Sequence, residues 1–128
     1  MKKGKILIIE DDRFLIKLYS DKLSREGFKV RAAISGEEAL HKISAEKPEL
    51  ILLDLVLPQK SGFEILSELK LSSRTKDIPV IILTNLGQET DIKKGLGLGA
   101  AAYLVKTEFS INKLPALVKE HLLKSKTK

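Results

Sequence analysis

The chain has 128 residues, of which 43% are hydrophobic and 31% charged, with no cysteine and a formal net charge of +6. That length supports one domain with a single substantial core, and the lack of cysteine excludes disulfides and thiolate metal sites. No run approaches membrane-spanning length, and the four apolar residues after MKKGK are too few for a secretory h-region, so a soluble cytoplasmic protein is expected.

Lys5 to Ile9 reads as a first strand, and Phe14, Leu15, Leu18 and Leu23 follow it at helical spacing. Gly27 sits where a helix end wants a residue tolerant of positive φ. Phe28 to Ala32 is a second, less apolar strand, with Lys29 and Arg31 alternating outwards as on a sheet edge. Ser35-x-x-Glu38 is a capping box that opens a helix to about Ala45. Leu50 to Leu53 is the third strand, and Ser61 or Gly62 starts a helix with Phe63, Ile65, Leu66 and Leu69 on its inner face. Pro79 to Leu83 is the fourth strand, a glycine-weakened helix covers about Glu89 to Leu98, and Ala102 to Val105 is the fifth strand. Ser110 caps a last helix to about Leu123, with Pro115 near its first turn, where a missing N–H does least harm.

Strands alternating with helices imply parallel pairing and right-handed crossovers. The expected fold is α/β, a doubly wound (βα)5 three-layer sandwich of flavodoxin-like type, with sheet order 2-1-3-4-5 and the polar second strand at an edge. Residues 1–124 are expected to form this domain, with a basic, disordered tail at 125–128 and no output domain. Charge is uneven: 12 Lys/Arg against 11 Asp/Glu in residues 1–64, and 11 against 6 in residues 65–128. No arginine cluster or stacking aromatic accompanies the lysines, so they read as solvated faces, and nucleic acid and membrane are not expected partners.

Asp54 stands at the end of the apolar run Leu50–Leu53, inside LILLDLVLP. A carboxylate there is costly unless something pairs with it. It is either a buried structural acid or a reactive group at the carboxyl end of a parallel sheet, where such folds place their chemistry. The ends of the neighbouring strands bear on that choice. Strand one ends in Glu10-Asp11-Asp12, strand four in Thr84, and strand five in Lys106. Glu10, Asp11 and Asp54 would converge, and an all-oxygen acidic cup suits Mg²⁺. A carboxylate nucleophile can attack a phosphoryl group. Mg²⁺ and Lys106 would neutralise its oxygens and Thr84 would hydrogen-bond one of them.

With those residues in view, the chain resembles the receiver domain of two-component response regulators over nearly its whole length. The motifs are ILIIEDD, PELILLDLVLPQKSG, IPVIILT and GAAAYLVK, in that order and spacing. The resemblance implies that Asp54 is the phosphoacceptor and that Glu10 and Asp11 bind metal, with Val56 adding its backbone carbonyl. It makes Thr84 the switch hydroxyl, Lys106 the phosphate-pairing lysine and Tyr103 the aromatic that turns inward on activation. It implies a signalling protein rather than an enzyme, fed by a histidine kinase or phosphotransfer protein. The face of helix four, strand five and helix five would report the change, and a phosphorylation-dependent homodimer is a further partner the resemblance allows.

Three departures from the family pattern stand out. Thr107 stands where proline usually follows the lysine, Asn85 stands where a small residue usually follows the threonine, and Gly95 and Gly97 precede the expected Gly99. Each glycine inside a helix costs roughly 1 kcal/mol relative to alanine. The pair reads as drift tolerated by tertiary contacts, or as a deliberately soft element on the signalling face. A receiver-like interaction module that signals without phosphorylation is the alternative to a phosphorylated switch.

Overall fold

A computed structural model describes residues 4–126. Its elements are β1 (Lys5–Ile9), α1 (Arg13–Arg25), β2 (Lys29–Ala33), α2 (Gly36–Ala45), β3 (Leu50–Leu53), α3 (Gly62–Leu71), β4 (Val80–Thr84), α4 (Glu89–Gly97), β5 (Ala102–Val105) and α5 (Leu114–Lys126). The five strands form one parallel sheet in the order β2-β1-β3-β4-β5, as the alternation of elements predicts. The three most apolar strands are central. Lys29 and Arg31 on the edge strand β2 turn to Glu46, which also takes Lys5 at 3.0 Å.

Successive strand residues face opposite sides of a sheet, and this splits the core in two. Leu7, Ile9, Ile51, Leu53, Val80 and Ile82 pack under Ala39 and Ile43 of α2 and Ile65, Leu66 and Leu69 of α3. Ile6, Ile8, Leu50, Leu52, Ile81 and Leu83 pack under Tyr19 and Leu23 of α1 and Leu114, Val118 and Leu122 of α5. Strands buried on both faces need near-continuous apolar sequence, which is why ILII, LILL and VIIL recur.

Helix starts are set by local chemistry. Asp12 caps α1, its carboxylate accepting the amides of Phe14 and Leu15 at 2.9 and 3.2 Å. Ser35 accepts from Glu38 N at 3.2 Å, but the Glu38 carboxylate takes the amide of Ile34 at 2.9 Å, so the expected box is closed one residue early. A full capping box, not anticipated, joins Ser61 and Glu64 at the start of α3. Ser110 makes no side-chain cap; a single 3₁₀ turn at Ile111–Lys113 leads into α5 instead. Gly27, at φ 94°, turns the chain out of α1 as expected.

Two expectations about helix faces and ends need amending. Of the four apolar α1 positions only Leu23 is buried, while Phe14 is 75% exposed and the buried partner is Tyr19. Helix α5 continues through Ser125 and Lys126, past the expected start of the tail, and residues 127–128 lie outside the described residues. No helix of the described residues is long and apolar enough to cross a membrane. At the amino-terminal end of the sheet, Lys70 folds back so that its ammonium donates to the carbonyls of Lys76 and Ile78, each at 2.9 Å.

Candidate functional site

The sheet register brings the strand ends together. Ile9 is level with Leu53, so Glu10 and Asp54 leave adjacent strands side by side, and Asp54 N donates to Ile9 O at 2.9 Å. Leu53 is level with Ile82, and Thr84 with Val105, so Thr84 and Lys106 end one and two residues further along. At about 3.3 Å per residue and about 4.8 Å per strand, only a long side chain can reach back from Lys106 to Asp54. Lysine has that length. Its ammonium donates to Glu10 Oε1 at 2.7 Å and to Asp54 Oδ2 at 2.9 Å.

All three partners are largely withdrawn from water, with side chains 12% exposed for Lys106, 3% for Glu10 and 6% for Asp54. Burial raises the Glu10 pKa, because one ammonium shared between two carboxylates only partly offsets desolvation and Asp54 adds repulsion. Burial works against the Lys106 charge, but the hydrogen bonds and charges of Glu10 and Asp54 outweigh it and hold its pKa above the usual lysine value. The remaining oxygens are also engaged. Glu10 Oε2 accepts from Asp12 N at 3.0 Å, and Asp54 Oδ1 accepts from Val56 N at 3.2 Å.

Asp11 is exposed at the rim. One carboxylate oxygen each from Glu10, Asp11 and Asp54 lie within 4.8 Å of one another, a donor set that fits a hard divalent cation. Val56 borders this group as an exposed residue whose amide already contacts Asp54. Thr84 is fully buried, and its hydroxyl oxygen accepts a long hydrogen bond of 3.4 Å from Leu86 N. Tyr103 is partly buried against the core on the α3 side of the sheet, and its hydroxyl donates to Leu86 O at 2.6 Å. Burial pushes this phenol up to about 12, with Asp91 and Asp54 adding to the rise.

The family model for the response regulator receiver domain matches residues 6–119. The chain belongs to that family. The receiver is 39% identical over 121 residues to the alkaline phosphatase synthesis transcriptional regulatory protein PhoP of Bacillus subtilis, covering 94% of the receiver and 49% of the relative. It is 38% identical over 122 residues to the phosphate regulon transcriptional regulatory protein PhoB of Rhizobium meliloti, covering 95% and 53%. The chain thus spans about half the length of the curated relatives it matches. Among solved structures, the CheY-like response regulator receiver domain protein of Methanospirillum hungatei superposes with a TM-score of 0.88 at 28% identity, covering 96% of each chain.

The receiver's departures from the family pattern take definite places. Thr107 follows Lys106 through a trans bond, since no cis peptide occurs among the described residues. Asn85 lines a cleft of about 310 Å³ with Leu15, Leu18, Phe109, Ile111 and Lys106, on the α1 side of the site. Sequence reasoning left Asp12 out of the metal set, and the structure gives it the helix cap instead. It missed the Leu86 backbone, which joins Thr84 to Tyr103 through its amide and carbonyl. No side-chain pattern marks such a contact.

Gly62, at the start of α3, also positions the receiver's Asp54. A Cβ there would lie 2.4 Å from Asp54 O and 2.6 Å from Leu55 Cα, collisions with backbone that no rotamer relieves. Gly62→Ala should therefore cost about 2–3 kcal/mol, the upper part of the range for overpacking. Chemical denaturation of the variant against the parent measures it.

Proposed function

We propose that this receiver is a phosphoacceptor switch in a two-component or phosphorelay system, with Asp54 taking a phosphoryl group from a histidine kinase or phosphotransfer protein. The observation that carries the reading is the Lys106 ammonium held 2.9 Å from the Asp54 carboxylate, beside two further acids at the carboxyl end of the sheet. In the transfer, an Asp54 oxygen attacks phosphorus and a P–O bond forms. The bond from phosphorus to the donor breaks, and its electron pair leaves with the donor. Glu10, Asp11, Asp54 and the Val56 carbonyl would hold Mg²⁺, which when bound neutralises developing charge on the phosphoryl oxygens.

The chain's own groups do the rest. Lys106 has three N–H donors, of which Glu10 and Asp54 engage two, leaving one for a phosphoryl oxygen. Thr84 is the second donor: its hydroxyl turns from the weak Leu86 contact to the phosphoryl group, and Tyr103 carries the change to the face of α4, β5 and α5. Phe14 lies exposed in the first turn of α1, next to the site, and offers an apolar contact to a donor protein. Incubation with Mg²⁺ and acetyl phosphate, read by intact mass, should add one phosphoryl group, and excess chelator should prevent it. No gain from small donors or a cognate kinase would overturn the reading in favour of an interaction module that works without phosphorylation.

A further inference from the structure

Strand β2 ends the sheet, and one side of its backbone has no neighbouring strand. Lys29 N donates to Gly4 O and Glu10 N donates to Ala33 O, so alternate residues from 29 to 33 turn their peptide groups towards β1. Val30, Ala32 and Ile34 therefore turn theirs away from the sheet. A bare edge of this kind is a template for pairing with another chain. Space for one exists. An opening of about 410 Å³ lies along Ala32 and Ile34, between Arg13, Ile16 and Lys17 of α1 and Glu38 and Lys42 of α2.

Two side chains of α2 fill the hydrogen-bonding positions of the missing strand. Lys42 Nζ donates to Ala32 O, and Glu38 Oε1 accepts from Ile34 N at 2.9 Å. In a parallel ladder a single residue of the neighbour would do both, donating to the carbonyl of residue i and accepting from the amide of i+2. The two side chains also hold each other, with Lys42 Nζ 3.8 Å from Glu38 Oε1 and the acid nearer the amino terminus, the favourable order. Farther down the edge, Arg31 Nη2 donates to Glu46 O at 2.6 Å and straps β2 to the end of α2. Closing the start of α2 accounts for the bond from Ile34 to Glu38. It does not account for the lysine on the matching carbonyl.

We propose that Glu38 and Lys42 together imitate one residue of a neighbouring strand and so close the β2 edge against pairing with a second copy of this chain. A carboxylate and an ammonium satisfy the two backbone groups as a strand would, yet present no new edge to a further chain. The surface between α1 and α2 is thereby kept out of strand-to-strand association, whatever other face the receiver uses. The device needs no phosphoryl group and stands apart from the reading of Asp54.

Hydrogen exchange and sedimentation velocity on the whole chain, without phosphodonor, test it. Relative to their intrinsic rates, the Ile34 amide of the parent should exchange at least ~10-fold more slowly than the Ala32 amide, which faces the same way with no hydrogen bond among the described residues. Glu38→Ala should bring Ile34 to the Ala32 rate. The double variant Glu38→Ala/Lys42→Met should self-associate at least ~10-fold more tightly than the parent, because its edge is bare. Adding Ala32→Pro removes an outward N–H without touching the ladder to β1, and should return the double variant to the parent's state. Should the double variant fold poorly, Lys42→Met alone, which keeps the Glu38 bond, should show the same association to a smaller degree.

Equal exchange of Ile34 and Ala32 in the parent would overturn the proposal. So would a folded double variant that associates no more tightly than the parent, or Lys42→Met with that result where the double variant does not fold. Association that survives Ala32→Pro would place the contact elsewhere and overturn it as well.

Discussion

Asp54→Asn should abolish phosphoryl labelling while changing folding stability by no more than ~1 kcal/mol. The amide has the carboxylate's shape, and its oxygen can still accept the Val56 amide, but it is not a nucleophile towards phosphorus at neutral pH. Removing one partner of a buried ion pair usually costs far more. Here the ammonium of Lys106 keeps Glu10 at 2.7 Å, and the repulsion that Asp54 exerts on Glu10 disappears. Loss and relief nearly cancel. Intact mass and urea unfolding check the two halves independently, and acid-labile phosphate retained in the variant would overturn the assignment of the acceptor.

Lys106→Met should do the reverse, costing about 3–5 kcal/mol at neutral pH, because it leaves two buried carboxylates without their shared cation. The pH dependence has a definite sign. In the parent, the Lys106 pKa is raised, so its contribution is fully present below the ordinary lysine value of 10.5 and is lost as pH rises through the folded value. The Glu10 pKa is also raised, so the fold favours its protonated form, and stability falls as pH rises from 4.5 through the folded value. Without the lysine that burden grows. The gap between variant and parent should therefore narrow as pH falls from 7 towards 4.5. Mg²⁺ should also raise the melting temperature of Lys106→Met more than that of the parent, since the ammonium no longer competes for the same oxygens. Urea unfolding at several pH values and melting curves with and without Mg²⁺ measure both effects. A gap that widens on acidification would refute the buried-pair account.

The fold was legible because the strands are apolar on both faces and are punctuated by caps and glycines. Lys5–Ile9, Leu50–Leu53 and Ala102–Val105 could be bounded to the residue. The site was legible as a set of residue types because parallel sheets collect the carboxyl ends of their strands, and register alone then sets Glu10 beside Asp54. What depended on distant neighbours was hidden. Phe14 and Leu18 have the spacing of a buried stripe, yet α1 is rolled so that Tyr19 and Leu23 meet the sheet. Gly95 looks like weakness in a helix until the Tyr103 ring is seen beneath it. The 3₁₀ turn between Ser110 and α5 is equally invisible, because such turns are frequent at α-helix ends and three residues are too few to show a period of their own.

The lysine that folds back onto the carbonyls of residues 76 and 78 bears on how the basic half of the chain meets other molecules. Formal charge counts Lys70, Lys94 and Lys106 alike with any tail lysine. Yet the first spends two N–H groups on its own backbone, the second lies over an aromatic ring and the third is enclosed by acids. A polyanion gathers affinity from ammonium groups free to displace its counterions. Binding to a cation-exchange resin should accordingly be weaker than for an unstructured chain of the same composition, with a shallower dependence on salt.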